Sequence, residues 1–319
     1  MKTFDIPVAL IFFNRPHYLK QQLQIIKKVK PSKLYLISDG ARKDRPNEEQ
    51  LVEESRRLVE ESIDWECEVK KNYAQENMGC YDRIANGASW VFSQEEYGIF
   101  LEDDNIPELT FFEYCRENLL KYKDHEKIYW ICGGNYLVDY ENEHHDSYIF
   151  SQQMFPCGWA SWRRAWKHYD GDMKDYEDKA CRKAVLAKIK NKRIRNYKKI
   201  VWEKLYQEKK HHERYYTWDH QWHFTLLKDD AVGIVPKYNQ ITNIGVGLDS
   251  THGGTELTEQ LSGMVMLESK PLEFPLQEPE EIHVDKKFDA LIDQRIKGVP
   301  TWLYNGSKIK KLITGGFHG

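Results

Sequence analysis

Pro7-Val8-Ala9-Leu10-Ile11-Phe12-Phe13 is apolar without a break. A strand with one wet face alternates, so an unbroken run predicts a strand covered on both faces, as in a parallel sheet. The pattern then repeats in alternation with helices. His17 to Lys30 places Leu19, Leu23, Ile26 and Val29 at helical spacing. Leu34 to Ser38 predicts a second strand, closed by Asp39-Gly40, and Glu48 to Glu61 a charged helix. Glu68 to Asn72 predicts a short strand, Asn77-Met78-Gly79 a turn, and Cys80 to Phe92 a helix. Ile99-Phe100-Leu101 is the next strand, and Thr110 to Lys123 the next helix, with Thr110 and Glu113 as a capping box. Ile128 to Cys132 returns as a strand before Gly133-Gly134-Asn135. This order predicts an α/β, Rossmann-like, mostly parallel sheet flanked by helices.

Three carboxylates, Glu102-Asp103-Asp104, follow the Ile99–Leu101 strand, and Pro107 closes the segment. Grouped carboxylates repel and are costly to desolvate, and a divalent cation with hard oxygen ligands relieves both problems. In an open α/β sheet the carboxyl ends of strands are where ligands bind. Arg15, Asp39 and Arg83 fall at other strand ends or helix starts, a row suited to a nucleotide. Each has a plainer reading: an acidic turn, a loop cap, the Asp39-Gly40 turn pair, or a surface ion pair for Arg83. Neither GxGxxG nor GxxxxGK[ST] follows the first strand, which disfavours a dinucleotide dehydrogenase and a P-loop nucleotidase.

These residues together resemble the GT-A fold glycosyltransferases. The shared features run from Asn14-Arg15 through Ser38-Asp39-Gly40 and Asn77-Met78-Gly79 to the DXD-like Glu102-Asp103-Asp104, over residues 5 to 255. The pattern is most similar to the N-acetylglucosaminyltransferase I family and family-two-like bacterial glycosyltransferases. The resemblance implies that Asp104 binds Mn2+ (or Mg2+) on a nucleotide diphosphate. It implies that Glu102 and Asp103 face donor sugar and ribose, and that Asp39 and Arg15 contact the base. It also implies that Asp219, in Thr217-Trp218-Asp219-His220-Gln221-Trp222, is the general base of an inverting transfer, with Thr217 capping its helix. Plain charge stabilisation at a helix start is the alternative for Asp219. The resemblance also implies that His252, between Thr251 and Gly253-Gly254, completes the metal or diphosphate site, with a plain surface histidine as the alternative. Trp159 or Trp162, in a Gly-Trp segment, is expected to stack on a sugar, with core packing as the alternative. His220 and His223 lack a third ligand at helical spacing and are expected to be structural.

The chain of 319 residues is therefore expected to comprise a GT-A domain over 1–265 and a linker with C-terminal tail over 266–319. The first would hold a nucleotide-sugar half (1–135), an acceptor half (136–265) and a basic helical insertion (172–214). Cys181 to Arg214 is rich in Lys and Arg with apolar residues at helical spacing. It is either a solvated insertion or a basic amphipathic helix that touches anionic lipid or a phosphate-bearing acceptor. Trp302-Leu303-Tyr304 to Lys308–Ile313 repeats the aromatic and basic theme, and Glu268 to Val284 is rich in Pro and Glu. A net charge of −3 gives no sign of nucleic-acid binding. Six scattered Cys without a CxxC pair fit a reducing, cytoplasmic setting, with peripheral contact at the inner face of the plasma membrane as an extension. The expected function is metal-dependent, inverting transfer from a nucleotide sugar, UDP foremost, to a glycan or lipid-linked acceptor. A non-catalytic subunit of the same fold and a sugar nucleotidyltransferase are the alternatives.

Overall fold

The computed structural model describes residues 3–211, 217–245 and 266–296. Four strands form the expected parallel block. They are β1 (Val8–Phe12), β2 (Lys33–Ser38), β3 (Glu68–Tyr73) and β4 (Tyr97–Glu102). Helices α1 (Pro16–Val29), α2 (Glu48–Ser62) and α3 (Cys80–Phe92) connect them. After β4 come the short β5 (Asn105–Pro107), α4 (Thr110–Lys121), β6 (Ile128–Cys132), β7 (Tyr148–Ser151) and β8 (Trp159–Trp162). The chain continues through α5 (Arg163–Trp166), α6 (Lys179–Lys188), α7 (Lys192–Lys210) and α8 (Asp219–Lys228). Strands β9 (Val232–Pro236) and β10 (Ile241–Asn243) follow, and the last described helix is α9 (Lys286–Arg295).

The main sheet has the order β3-β2-β1-β4-β8-β6-β9-β7. Strand β8 runs antiparallel between β4 and β6, and β7 runs antiparallel to β9. The remaining six strands share one direction, so the sheet is mostly parallel, as expected. Every residue of β1 is buried, which is the physical reason its sequence does not alternate. A separate ribbon pairs β5 with β10, Asn105 facing Asn243. This pairing brings two distant segments together at the carboxyl end of β4.

Several local expectations are corrected. The Thr110–Glu113 capping box is absent. Leu109 stands at the N-cap without a side-chain bond, Thr110 Oγ1 donates to Gln240 Oε1 at 2.8 Å, and Glu113 faces Arg116. Thr217 does not cap α8 either; Trp218 holds that position, and the Thr217 hydroxyl donates to the Asp219 carboxylate.

The basic insertion forms α6 and α7, and part of its apolar stripe is already used. Val185, Ile194, Trp202 and Leu205 are buried, with Trp202 packed edge-on against Phe224 of α8. These four side chains therefore pack on the protein, while Ile189, Tyr197 and Val201 of the expected stripe are half-buried. No described helix is long and apolar enough to cross a membrane. The aromatic and basic Trp302–Ile313 segment lies outside the described residues.

Glu268 to Val284, expected as a linker, is seated on the body. Leu272 and Leu276 are buried, Ser147 N donates to Gln277 O at 2.7 Å, and Val284 bridges Phe150. The segment therefore covers the outer side of β7, an edge that would otherwise leave backbone groups open. Helix α9 follows, burying Phe288 and Ile292. Asp289 accepts from Ser151 Oγ and from Gln152 N, the latter at 3.3 Å. Burial pushes the Asp289 carboxyl up to about 6; these two bonds oppose the rise, and Asp293 and Asp285 add to it. A carboxyl raised on folding binds its proton more tightly in the native state, so its contribution to stability falls as pH climbs from about 4 to 6. Asp289→Asn is therefore expected to stabilise the protein more at pH 7 than at pH 5. Urea unfolding at both pH values checks this, and an equal effect at the two would contradict it.

Candidate active site

The site is built where β4 ends. Glu102 closes the strand, and Asp103 and Asp104 turn out of it toward β5. Gln22 of α1 fixes this turn, its Nε2 donating to Glu102 O at 2.6 Å and Asn105 O at 2.8 Å. Asn105 Oδ1 accepts from Gly158 N at 2.8 Å, tying the turn to the start of β8.

The three carboxyl groups have different surroundings. Asp103 is buried, and Arg15 donates to both of its oxygens, with Phe13 N adding a 3.3 Å bond. Arg15 Nη2 also donates to Asp104 Oδ2 at 3.0 Å. Burial alone would weaken the charge on Arg15, but Asp103 and Asp104 outweigh it and hold the guanidinium more firmly protonated than usual. Asp104 Oδ1 accepts from Asn105 Nδ2 at 2.8 Å and from Asn243 Nδ2 at 3.3 Å. Glu102 is half-buried and makes no ion pair among the described residues. Burial, then Asp104 and Asp103, push its carboxyl up to about 8; Arg15 opposes this and Asp219 adds to it.

Asp219, at the first position of α8, thus lies within electrostatic reach of the triplet, from which it is far removed in sequence. Its charge, like those of Glu102 and Asp104, also raises the Cys80 and Cys157 thiols, after burial. Tyr136 senses Asp219 as well, and its ring packs 4.5 Å from Phe155. Cys80, Cys157 and Tyr136 are thus within electrostatic reach of Asp219, and Asn243 Nδ2 donates to Cys157 Sγ at 3.3 Å. Sequence reasoning did not select them, because no spacing links them. The Asn243-Ile244-Gly245 motif reaches the triplet through the pairing of β10 with β5.

Gly245 shows how closely that motif approaches. A Cβ there would stand 2.0 Å from Asp104 Oδ2, while Ile244 N donates to Asp104 O at 2.9 Å. Gly245→Ala must displace the Asp104 carboxylate or the strand after it. We expect metal-dependent nucleotide affinity to fall at least about tenfold, roughly 1.4 kcal/mol, by calorimetry. Unchanged affinity would show that Asp104 does not need this packing.

The other expected nucleotide residues have altered roles. Asp39 was expected on the base, but its carboxylate is engaged by the chain. It accepts from Gly40 N, Met78 N, Gly79 N and Asn77 Nδ2 at 2.8–3.0 Å, pinning the 77–79 turn. Arg15, also expected on the base, is committed to Asp103 and Asp104. Arg83 is not a surface residue: it is buried, and its Nη2 donates to Asn72 O at 2.6 Å and Asn72 Oδ1 at 3.0 Å. Its Nε has no hydrogen-bond partner. Trp159 and Trp162 are corrected outright. Both are about 1% exposed, so neither can stack on a sugar. Trp159 is sandwiched between Phe100 and Trp130 at 4.0 and 4.3 Å, and Trp162 Nε1 donates to Leu119 O at 2.9 Å. His223 is buried on Gln152 O and His220 meets Lys198, neither arranged as a metal ligand. His252 lies outside the described residues.

Among the described residues no three His, Cys, Asp or Glu side chains converge to cage a metal ion. Glu102 and Asp104 do supply two hard-oxygen groups in a region of excess negative charge. Mg2+ or Mn2+ commonly takes one or two carboxylates and completes its shell with water and phosphate. Two carboxylates are what such an open site uses; here Asp104 already gives Oδ2 to Arg15 and Oδ1 to Asn105 and Asn243, so a bound cation would displace at least one of these donors.

No protein-family model matches the chain, and no curated protein does. The solved structures that align with it include three at 11–12% identity. A UDP-glucose pyrophosphorylase complexed with UDP-glucose is 11% identical with TM-score 0.29, covering 51% of this chain and 78% of that one. A 4-diphosphocytidyl-2C-methyl-D-erythritol synthase from Anaerococcus prevotii is 11% identical with TM-score 0.29, covering 55% and 78%. The apo-form glycosyltransferase GlyE of Streptococcus pneumoniae is 12% identical with TM-score 0.30, covering 97% of this chain and 64% of its own. The chain thus spans just under two thirds of GlyE. Similarities this low leave the functional reading to the residues themselves.

Proposed function

We propose that this chain is a metal-dependent, inverting glycosyltransferase that uses a nucleotide-sugar donor, UDP-linked in the first instance. The observation that carries the reading is that Asp219, at the start of α8, lies within electrostatic reach of the carboxylates that end β4. One group of acids suits a cation and a diphosphate; a separate carboxylate facing them suits proton transfer. The donor would lie across the carboxyl ends of β1, β2 and β4. The turn pinned by Asp39 would border the nucleobase. Glu102 and Asp104 would hold Mn2+ or Mg2+, which when bound supplies positive charge for the departing diphosphate.

In this reading Asp219 takes the proton from an acceptor hydroxyl as its oxygen bonds to the anomeric carbon. The bond from that carbon to the diphosphate oxygen breaks on the opposite side. Thr217, whose hydroxyl donates to Asp219, would orient the carboxylate. Arg15 would keep Asp103 neutralised and Asp104 in place. The acceptor would be a glycan or lipid-linked sugar. Proton NMR of the product tests the stereochemistry: inversion at the anomeric carbon is expected, and retention would remove the role given to Asp219.

One observation favours a second reading. Arg15 already neutralises part of the triplet from within the chain. A fold kept as a non-catalytic partner subunit would need that neutralisation and no metal. Nucleotide binding that is indifferent to Mn2+, without turnover, would favour it.

A further inference from the structure

Behind Asp219, α7 brings Lys198 against α8. Lys198 Nζ lies 3.4 Å from His220 Nδ1, the residue next to Asp219, and 5.9 Å from the Trp202 ring centre. Trp202 Nε1 donates to His220 O at 2.9 Å, so the two helices are tied at this level. Lys198 has no carboxylate within ion-pair distance among the described residues, and unlike the exposed Lys192 and Lys199 of the same helix it is half-buried. A half-buried ammonium left that way is costly unless longer-range charges favour it. The groups that face it can be named. Asp219, His220 and His223 come from α8, and Asp293 comes from α9. Burial, with Lys198 and then His220 adding to it, drives the His223 imidazole well below its ordinary range, so it is neutral and its Nε2 donates to Gln152 O at 3.1 Å. Asp293 is already bonded by Gln153 Nε2 at 3.1 Å. Asp219 is also within electrostatic reach of Glu102, Cys80, Cys157 and Tyr136, none of which is a cation.

We infer that Lys198 is a positioning residue whose ammonium, set between α7 and α8, is the counter-charge that holds the Asp219 carboxylate beside the acidic triplet. The inference rests on the role of Asp219 proposed above. Without Lys198, Asp219 would add its charge to a triplet that Arg15 neutralises only in part. Burial pushes Lys198 down to about 8, and Asp219 is the first charge that opposes this, ahead of Asp293. The two groups are therefore coupled, and the coupling is measurable without any substrate.

Reductive 13C-methylation of the folded protein, with the Lys198 signal assigned by its absence in Lys198→Arg, gives the Lys198 titration midpoint. Asp219→Asn is expected to lower that midpoint, because an attractive charge is lost. An unmoved midpoint overturns the inference. A second arm follows Mn2+-dependent hydrolysis of UDP-glucose and UDP-N-acetylglucosamine, with water as acceptor. Lys198→Met is expected to lower turnover about tenfold, with UDP affinity unchanged and Lys198→Arg restoring most of it. Equal turnover in Lys198→Met, or loss that Lys198→Arg does not relieve, speaks against a counter-charge. The two readings fail separately. Full turnover in Asp219→Asn removes the base, whereas a dead Asp219→Asn with an unmoved Lys198 midpoint removes only the counter-charge.

Discussion

Asp219→Asn is expected to lower sugar transfer by about 10²–10⁴-fold, the usual worth of a positioned general base. The substitution keeps the size of the side chain and an oxygen that can accept from Thr217. It also removes one of the charges that raise Glu102. Nucleotide affinity in Mn2+ should therefore stay level or rise slightly while turnover collapses. Steady-state kinetics paired with calorimetry separates these quantities. A variant that transfers sugar at the wild-type rate would leave Asp219 as a helix-start charge, worth only ~0.3–1 kcal/mol.

Trp159→Ala is expected to cost about 3–5 kcal/mol of stability, the range for removing a large buried aromatic. Trp159 lies inside a pile of rings. Phe100 and Trp130 cover its two faces, and Trp166 and Trp218 close its edges at 5.7 and 5.5 Å. Its strand pairs with β4 and β6, so the ring also supports the strand that carries the triplet. A denaturant midpoint measures the loss. A stable variant with weakened sugar binding would restore the stacking role that burial argues against.

Much of the fold was legible because it is written locally. The fully buried β1 and β2 read as unbroken apolar runs, and α1 shows its core face in Leu19, Leu23 and Ile26. The antiparallel β8 was not legible. Its Trp159-Ala160-Ser161-Trp162 run looks like a binding motif, and only the partners on either side show that it is core. The edge segment 266–285 reads as a linker because its contacts are few, separate and distant in sequence. In the site, the acidic triplet and Asp219 were visible as residue types in suggestive places. What each does depends on long-range partners. Asp39 looked like a ligand-facing acid and instead ties a turn 38 to 40 residues away. Arg15 looked like a base contact and instead pairs with acids 88 and 89 residues on. Lys198 carried no signal at all, since it sits in a run of basic residues and only packing against α8 distinguishes it.

The central claim is that the carboxylates ending β4 bind a cation together with a nucleotide diphosphate. Isothermal calorimetry with UDP, GDP, CDP and dTDP, each with and without Mn2+, tests it most directly. One nucleotide, UDP first, is expected to bind with an affinity that depends on Mn2+ and is lost in Asp104→Asn. Folded protein that binds none of the four, or binds one equally well without Mn2+ and in Asp104→Asn, would contradict the account.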